Sequence, residues 1–244
     1  MKKILITAPL RQDPRYFDEY RESVDKLIVP DGYEVETFYV VNNCPEIIPH
    51  LWMKDNYTVE DNQNEYIKTA GDHVWLDKNI KKVAYYRNLT IQYALEQGYD
   101  YWWSVDTDIV LHPMTLKALL DADKDIVSEI FWSKDPGGYE WCNAWMRDKY
   151  SGTEPQFKTP GLYQVGMTGA CTLVKRKVLE AGVNYDFLPN LTIWGEDRHF
   201  SIRAAAHRFE LWVDTHYPAT HLFTEREYQE YMRKKVNADE TSGR

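Results

Sequence analysis

The sequence predicts an α/β domain with a mainly parallel central sheet flanked by helices. Two observations predict it. Short apolar runs alternate with stretches of helical periodicity, the βαβ order of a nucleotide-binding sheet. The run YWWSVDTDIV (101–110) then passes from an apolar strand straight into two carboxylates one residue apart, Asp106 and Asp108.

The elements follow in order. Residues 3–8 read as the first strand, and Asp13-Pro14 starts a helix with Asp as N-cap and Pro in the first turn. Phe17, Tyr20, Val24, Leu27 and Ile28 recur at helical spacing behind it. Residues 34–41 form a second strand ending in Asn42-Asn43, and 83–97 a second helix stopped by Gly98. In that helix Ala84, Ile91 and Leu95 make the inward stripe, and Arg87 with Asn88 lies on the same stripe. Tyr101, Trp102, Trp103 and Val105 make a strand covered on both faces, since such strands read as continuously apolar. A helix near Pro113, a strand at 126–131, a strand at 170–174 and a short helix at 175–181 ended by Gly182 come next. Trp194-Gly195-Glu196-Asp197 opens an amphipathic helix carrying Phe200, Ile202, Ala206 and Phe209. A strand at 210–213 leads to His216 and His221, and 224–236 reads as a closing helix with a frayed tail. Two long connections, 44–80 and 132–162, interrupt the alternation, and loops of that length are usually functional or disordered. The second holds Gly137-Gly138, Trp132, Trp141 and Trp145, which suggests a mobile lid or an acceptor wall.

Bulk properties narrow the function. The chain has 244 residues, 43% of them hydrophobic, enough for a real core in one generous domain or two small ones. A formal charge of -9 with no basic stripe argues against a nucleic-acid surface. The apolar run at 4–6 breaks at Thr7 and Pro9, too short for a signal peptide or membrane span, so the sequence reads as soluble and intracellular. Cys44, Cys142 and Cys171 are odd in number and widely spaced, which fits a reducing compartment. Tryptophan and tyrosine are plentiful, at 9 and 18 residues; most are expected in the core, although some loop positions suit stacking on a sugar or base.

Two acid pairs, an arginine and a histidine carry chemistry. Asp106 and Asp108 fall at a strand's carboxyl end, where open sheets bind ligands and where hard oxygen donors can share a divalent cation with a phosphate; Asp is also a common turn residue. Glu196 and Asp197 begin a helix, where free N–H groups favour ionised carboxylates, either as a base or as a capping pair. Arg87 on an inward stripe needs an anion, a structural carboxylate or an arriving phosphate. His221, just past a strand, could complete an oxygen-rich metal shell. Asp121, Asp123 and Asp125 read as a solvated turn.

Taken together, ILITAPL (4–10), YYRNLTIQYAL (85–95), VDTD (105–108), GACTLVKRKVL (169–179) and WGEDRHF (194–200) resemble, in order and spacing, the GT-A fold glycosyltransferases, particularly the bacterial family 2 enzymes. The resemblance covers roughly residues 3–222. It implies a nucleotide-diphospho-sugar transferase fold with a Rossmann-like amino-terminal half, organised as one catalytic domain (1–224; nucleotide-sugar half 1–112, acceptor half 113–224) with a carboxyl-terminal helix and tail (225–244). It implies Asp108, Asp106 and His221 around Mn2+ or Mg2+, and Pro9, Asn42, Arg87, Asn88, Asp106 and Thr107 around the nucleotide-sugar. Asp197 resembles the general base and Glu196 the residue that positions the acceptor, with Trp194, Trp132 and Trp141 as acceptor contacts. Asn42-Asn43 departs from the Asp often found there, which leaves the nucleotide, UDP or GDP type, open. The implied reaction is transfer from a nucleoside-diphosphate sugar to a hydroxyl of a carbohydrate, lipid-linked or protein acceptor, with inversion, by a cytoplasmic hexosyltransferase-type enzyme able to form homo-oligomers. A retaining enzyme or a non-catalytic sugar-binding protein of the same fold are the alternatives. A nucleotidyltransferase is disfavoured, because residues 6–11 contain no glycine to cradle a phosphate.

Overall fold

The computed structural model describes residues 1–61, 76–135, 137–148, 154–192 and 195–242, with side chains as far as residue 237. The chain opens with β1 (Lys2–Leu10), α1 (Pro14–Asp25), β2 (Tyr33–Asn42) and β3 (Asn56–Glu60). Next come α2 (Asp77–Glu96), β4 (Tyr101–Ser104), β5 (Ile109–Val110) and α3 (Thr115–Asp121). The middle holds β6 (Ile126–Lys134), β7 (Glu140–Cys142), β8 (Ala144–Trp145), β9 (Leu162–Val165), β10 (Met167–Thr168), β11 (Thr172–Lys175) and α4 (Arg176–Glu180). The chain then runs through α5 (Glu196–Ala206), β12 (Leu211–His221) and α6 (Glu225–Ser242).

A single large sheet has the order β3-β2-β1-β4-β11-β6-β12-β5, with β7 added to β6 and β9 to β12. Strands β3, β2, β1 and β4 are mutually parallel. Beyond β4 the sheet is mixed, because β11 runs antiparallel to both β4 and β6 while β6 and β12 are parallel. The alternation of side chains builds a core on each face. Ile4, Ile6, Trp103 and Val127 point into one, and Leu5, Trp102, Ile126 and Ile130 into the other. Trp102 is fully buried and its indole N–H donates to the Thr90 hydroxyl at 3.0 Å, so the ring is held without an orphaned donor.

Local chemistry explains the element ends. Asp13 accepts a hydrogen bond from the Arg15 N–H at 2.9 Å and Pro14 follows it, the N-cap expected from sequence. Helix α2 starts six residues before its sequence-predicted start at 83, since Ile80 continues the buried stripe Ala84, Arg87, Ile91 and Ala94 through a turn rich in lysine. The polar residues of that turn hide the periodicity.

Both long connections contain structure. Residues 45–50 form a 3₁₀ turn before β3, and β6 turns back into β7 as a hairpin. Asp135 closes that hairpin: its Oδ1 accepts from the Tyr139 N–H at 2.8 Å and its carbonyl from the Gly138 N–H at 3.0 Å, with Gly138 at φ +90. Strand β12 outruns the expected 210–213 as well. Its register against β6 shifts between Asp214 and Ala219, and pairing then resumes through Thr220. Pro218, which has no N–H to give a ladder, lies in this irregularity. The acidic turn at 121–125 is solvated and carries Lys175 and Lys177 as counter-ions. Among the described residues, no helix is long and apolar enough to cross a membrane.

Candidate active site

The acids of the VDTD segment stand where β4 ends. The Val105 N–H still bonds the Thr7 carbonyl of β1, and then the Ile109 N–H closes a turn on the Asp106 carbonyl at 3.0 Å. Thr107 is buried inside that turn, while the Asp106 side chain remains 38% exposed. Strand β5 leaves the turn and pairs with the end of β12, with Ile109 opposite His221. This pairing brings the His221 Nε2 to 3.7 Å from the Asp108 Oδ2. On the other side of the ring, Nδ1 lies 2.7 Å from the Ser133 hydroxyl. Phe131 packs against the imidazole edge-on, with ring centroids 4.9 Å apart.

The second acid pair lies across from the first, at the head of α5. Gly195 precedes it at φ +96, a backbone conformation open to glycine. Glu196 is buried and its Oε1 accepts from the Arg87 Nε at 3.0 Å. Asp197 faces the loop between β10 and β11. A Cβ on Gly169 would stand 3.0 Å from the Asp197 Oδ2, so the hydrogen-only side of Gly169 is what leaves room for the carboxylate. Desolvation and the charge of Glu196 hold the Asp197 carboxyl well above its ordinary range, with Arg87 opposing them. The shift runs opposite to the one the free N–H groups of a helix head favour.

Arg87 connects the two pairs. Its guanidinium is fully buried and gives Nη2 to the Asp106 Oδ1 at 2.9 Å, Nε to Glu196, and Nη1 to the Ser104 hydroxyl. The Tyr185 ring lies beneath it, 5.5 Å from the guanidinium carbon. Of the two partners open to Arg87, the structure supplies the carboxylates. Asn88 faces elsewhere. Its Oδ1 accepts from the Tyr185 N–H and its Nδ2 donates to Asp186, both at 2.8 Å. It anchors the chain entering α5 and does not join the acids.

Pro9 and Asn42 lie at the carboxyl ends of β1 and β2, on the same edge of the sheet as Asp106. Among the described residues the buried Asn42 Oδ1 has no hydrogen-bond partner, nor has the Thr7 hydroxyl deeper along β1. Buried polar atoms left in that condition suit a ligand that supplies the missing donor.

The tryptophans divide. Trp141 belongs to a series of rings, Tyr139, Trp141, Phe223 and His221, whose successive centroids lie 6.3, 5.8 and 5.2 Å apart. Trp132 does not join them. It points to the opposite face of β6, packs on the second core and carries the Lys158 ammonium over its ring at 4.7 Å. Trp194 lies outside the described residues.

Among the described residues no group of three or more His, Cys, Asp and Glu side chains is gathered as a metal cage. Asp108 and His221 nevertheless fit part of a divalent-cation shell. One carboxylate and one imidazole, the latter oriented through its other nitrogen by Ser133, suit a cation that draws its remaining ligands from water and a diphosphate. Sequence reasoning misses Ser104, Ser133, Gly169 and Tyr185. Ser104 and Gly169 stand inside the YWWSVDTDIV and GACTLVKRKVL segments, whereas Ser133 and Tyr185 carry no local signal.

No protein-family model matches the chain, and no curated protein sequence matches it. Solved structures do. The crystal structure of S. aureus TarS residues 1–349 superposes over 96% of this chain and 64% of its own, at 17% identity and a TM-score of 0.51. The same protein in complex with UDP gives 96% and 64% coverage, 18% identity and a TM-score of 0.56. Its complex with UDP-GlcNAc gives 89% and 58%, 16% identity and a TM-score of 0.50. The chain spans about three fifths of the length of these structures. Identities this low establish architecture, and the chain accordingly has the GT-A fold and resembles the glycosyltransferases built on it.

Proposed function

We propose that this protein is a metal-dependent glycosyltransferase that moves a sugar from a nucleoside-diphosphate sugar to an acceptor hydroxyl with inversion. The observation that carries the reading is that one acid from each of two pairs, Asp106 at a strand's carboxyl end and Glu196 at a helix head, bonds the same buried arginine. A site that only bound sugar would need neither. The similar TarS structures were solved with UDP and UDP-GlcNAc, which makes UDP the first nucleotide to test.

Asp108 and His221 would hold Mn2+ or Mg2+, which when bound supplies Lewis-acid stabilisation to a diphosphate leaving group. Asp106 and Thr107, with Pro9 and Asn42, border the nucleotide side. The Asn42 Oδ1, without a hydrogen-bond partner among the described residues, can read an N–H of the base. On the acceptor side Asp197 takes the proton of the attacking hydroxyl. The hydroxyl oxygen bonds to the anomeric carbon as that carbon's bond to the diphosphate oxygen breaks, the electron pair leaving with the phosphate. One displacement inverts the centre. Trp141 and Tyr139 offer ring faces at the metal end where an acceptor sugar can stack. The three cysteines are buried free thiols, which accords with a cytoplasmic setting.

Thermal unfolding against a panel of nucleoside diphosphates, with Mn2+ and then EDTA, tests the donor half. Stabilisation by UDP that EDTA removes is the expected result, and no metal-dependent stabilisation by any nucleotide would overturn the reading. NMR of the transfer product tests the rest. Retention of the donor's anomeric configuration rules out the single displacement.

A further inference from the structure

We infer that Arg87 is a positioning residue that couples the two halves of the site, so that the state of the acceptor-side acid Glu196 is felt in donor binding at Asp106. The inference rests on the functional reading above for what the two sides do, and on geometry for the coupling itself.

The guanidinium lies between elements that otherwise have little reason to keep a fixed distance. Asp106 belongs to the turn after β4 and Glu196 to the first turn of α5, 90 residues later. Arg87 reaches both at 2.9 and 3.0 Å from α2, and a third nitrogen is fixed on Ser104 at the end of β4. Its planar fork holds both acids in set directions, which a point charge cannot do. The support beneath it is equally specific. Tyr185 lies under the guanidinium and stacks on Phe200 of α5 at 4.7 Å, and Asn88, the next residue of α2, holds the Tyr185 backbone N–H. Helix α2 therefore grips the approach to α5 at two consecutive residues.

Charge makes the bridge a coupler rather than a rivet. Three carboxylates, Asp106, Glu196 and Asp197, act on this one buried cation. An acid that leaves the guanidinium changes the share of it available to the others. A donor that engages Asp106 must therefore be sensitive to what Glu196 is doing, although Glu196 reaches the donor-side turn through Arg87.

The test is a set of variants of the full chain: Asp106→Asn, Glu196→Gln, their combination, and each of these with Arg87→Met. Arg87→Lys is the second bridge variant, retaining the charge and losing the fork, in case Arg87→Met does not fold. UDP affinity with Mn2+ and the ligand-free unfolding midpoint are measured for all. With Arg87 present, Glu196→Gln is expected to change the UDP dissociation constant about threefold or more, and its effect on unfolding is expected to be non-additive with Asp106→Asn. With Met at position 87 both couplings should vanish, and with Lys, which keeps the charge without the fork, both should shrink. Additive unfolding in the presence of Arg87 overturns the bridge, whether or not any nucleotide binds. Coupled unfolding with a UDP affinity untouched by Glu196→Gln overturns the positioning role and leaves a structural ion pair. Failure of the wild type to bind any nucleoside diphosphate is a separate result, which overturns the functional reading and with it the role in donor binding.

Discussion

His221 presents its Nε2 to Asp108 at 3.7 Å because Ser133 occupies its Nδ1 at 2.7 Å, so the ring has one nitrogen fixed and the other aimed at a carboxylate. Such an outer partner sets tautomer and orientation, and losing one typically costs about 10–100-fold in metal affinity. Ser133→Ala is therefore expected to weaken Mn2+-dependent UDP binding about tenfold. Asp108→Ala and His221→Ala should abolish it. Calorimetric titration of UDP at several Mn2+ concentrations checks all three. Unchanged metal dependence in His221→Ala would remove the histidine from the shell.

Asp197 supplies a pH prediction. Desolvation and Glu196 raise its pKa in the folded chain, so it keeps its proton to higher pH than a free carboxyl does. A base must be deprotonated to work, so transfer should rise with pH through that raised pKa and then level off. Asp197→Asn should retain UDP binding and lose nearly all transfer. A pH–rate profile already flat across the acid range, or full transfer by Asp197→Asn, speaks against its role as base.

Gly169 tests the same carboxylate by steric means. The Cβ of Gly169→Ala would stand 3.0 Å from the Asp197 Oδ2, tighter than ordinary contact. The side chain must yield by some tenths of an ångström, and misplacement of about 1 Å can cost on the order of 100-fold in rate. Gly169→Ala is expected to reduce transfer about tenfold while UDP affinity holds. Equal losses in both would point to general damage.

The parts of this site differ sharply in how far they can be read from sequence. Asp106, Asp108, Glu196 and Asp197 are legible because they fall at element ends, where the apolar pattern stops and composition changes abruptly. Arg87 is visible as a charge on an inward stripe, but its partners lie 17 to 109 residues away and no local pattern names them. Ser133 and Gly169 act through single atoms whose importance depends on the sheet's register. Trp132 and Trp141 look alike in the sequence. They separate only because β6 and β7 pair as a hairpin that sends one ring to the second core and the other toward His221. The length of β12 is hidden by Pro218, which reads as a strand breaker yet lies in a register shift.

Glu129 carries the last prediction, outside the reacting groups. It is fully buried in β6, opposite Asp214 of β12. Its Oε1 accepts from the Ile130 N–H at 3.2 Å, and its Oε2 is buried as well. Burial, reinforced by the nearby charge of Asp214, pushes its pKa from an ordinary 4.5 up to about 10. Between those values the folded chain holds a proton that the unfolded chain has released. Stability therefore falls as pH rises across the window, by at most about 1.4 kcal/mol per pH unit from this group alone. Glu129→Gln keeps the shape and has nothing to protonate. It should match the wild type near pH 4.5, if acid leaves both folded, and exceed it by a growing margin from pH 6 to pH 9. Urea unfolding at those pH values measures the margin. A constant difference between the two proteins would mean that Glu129 titrates alike in the folded and unfolded chains.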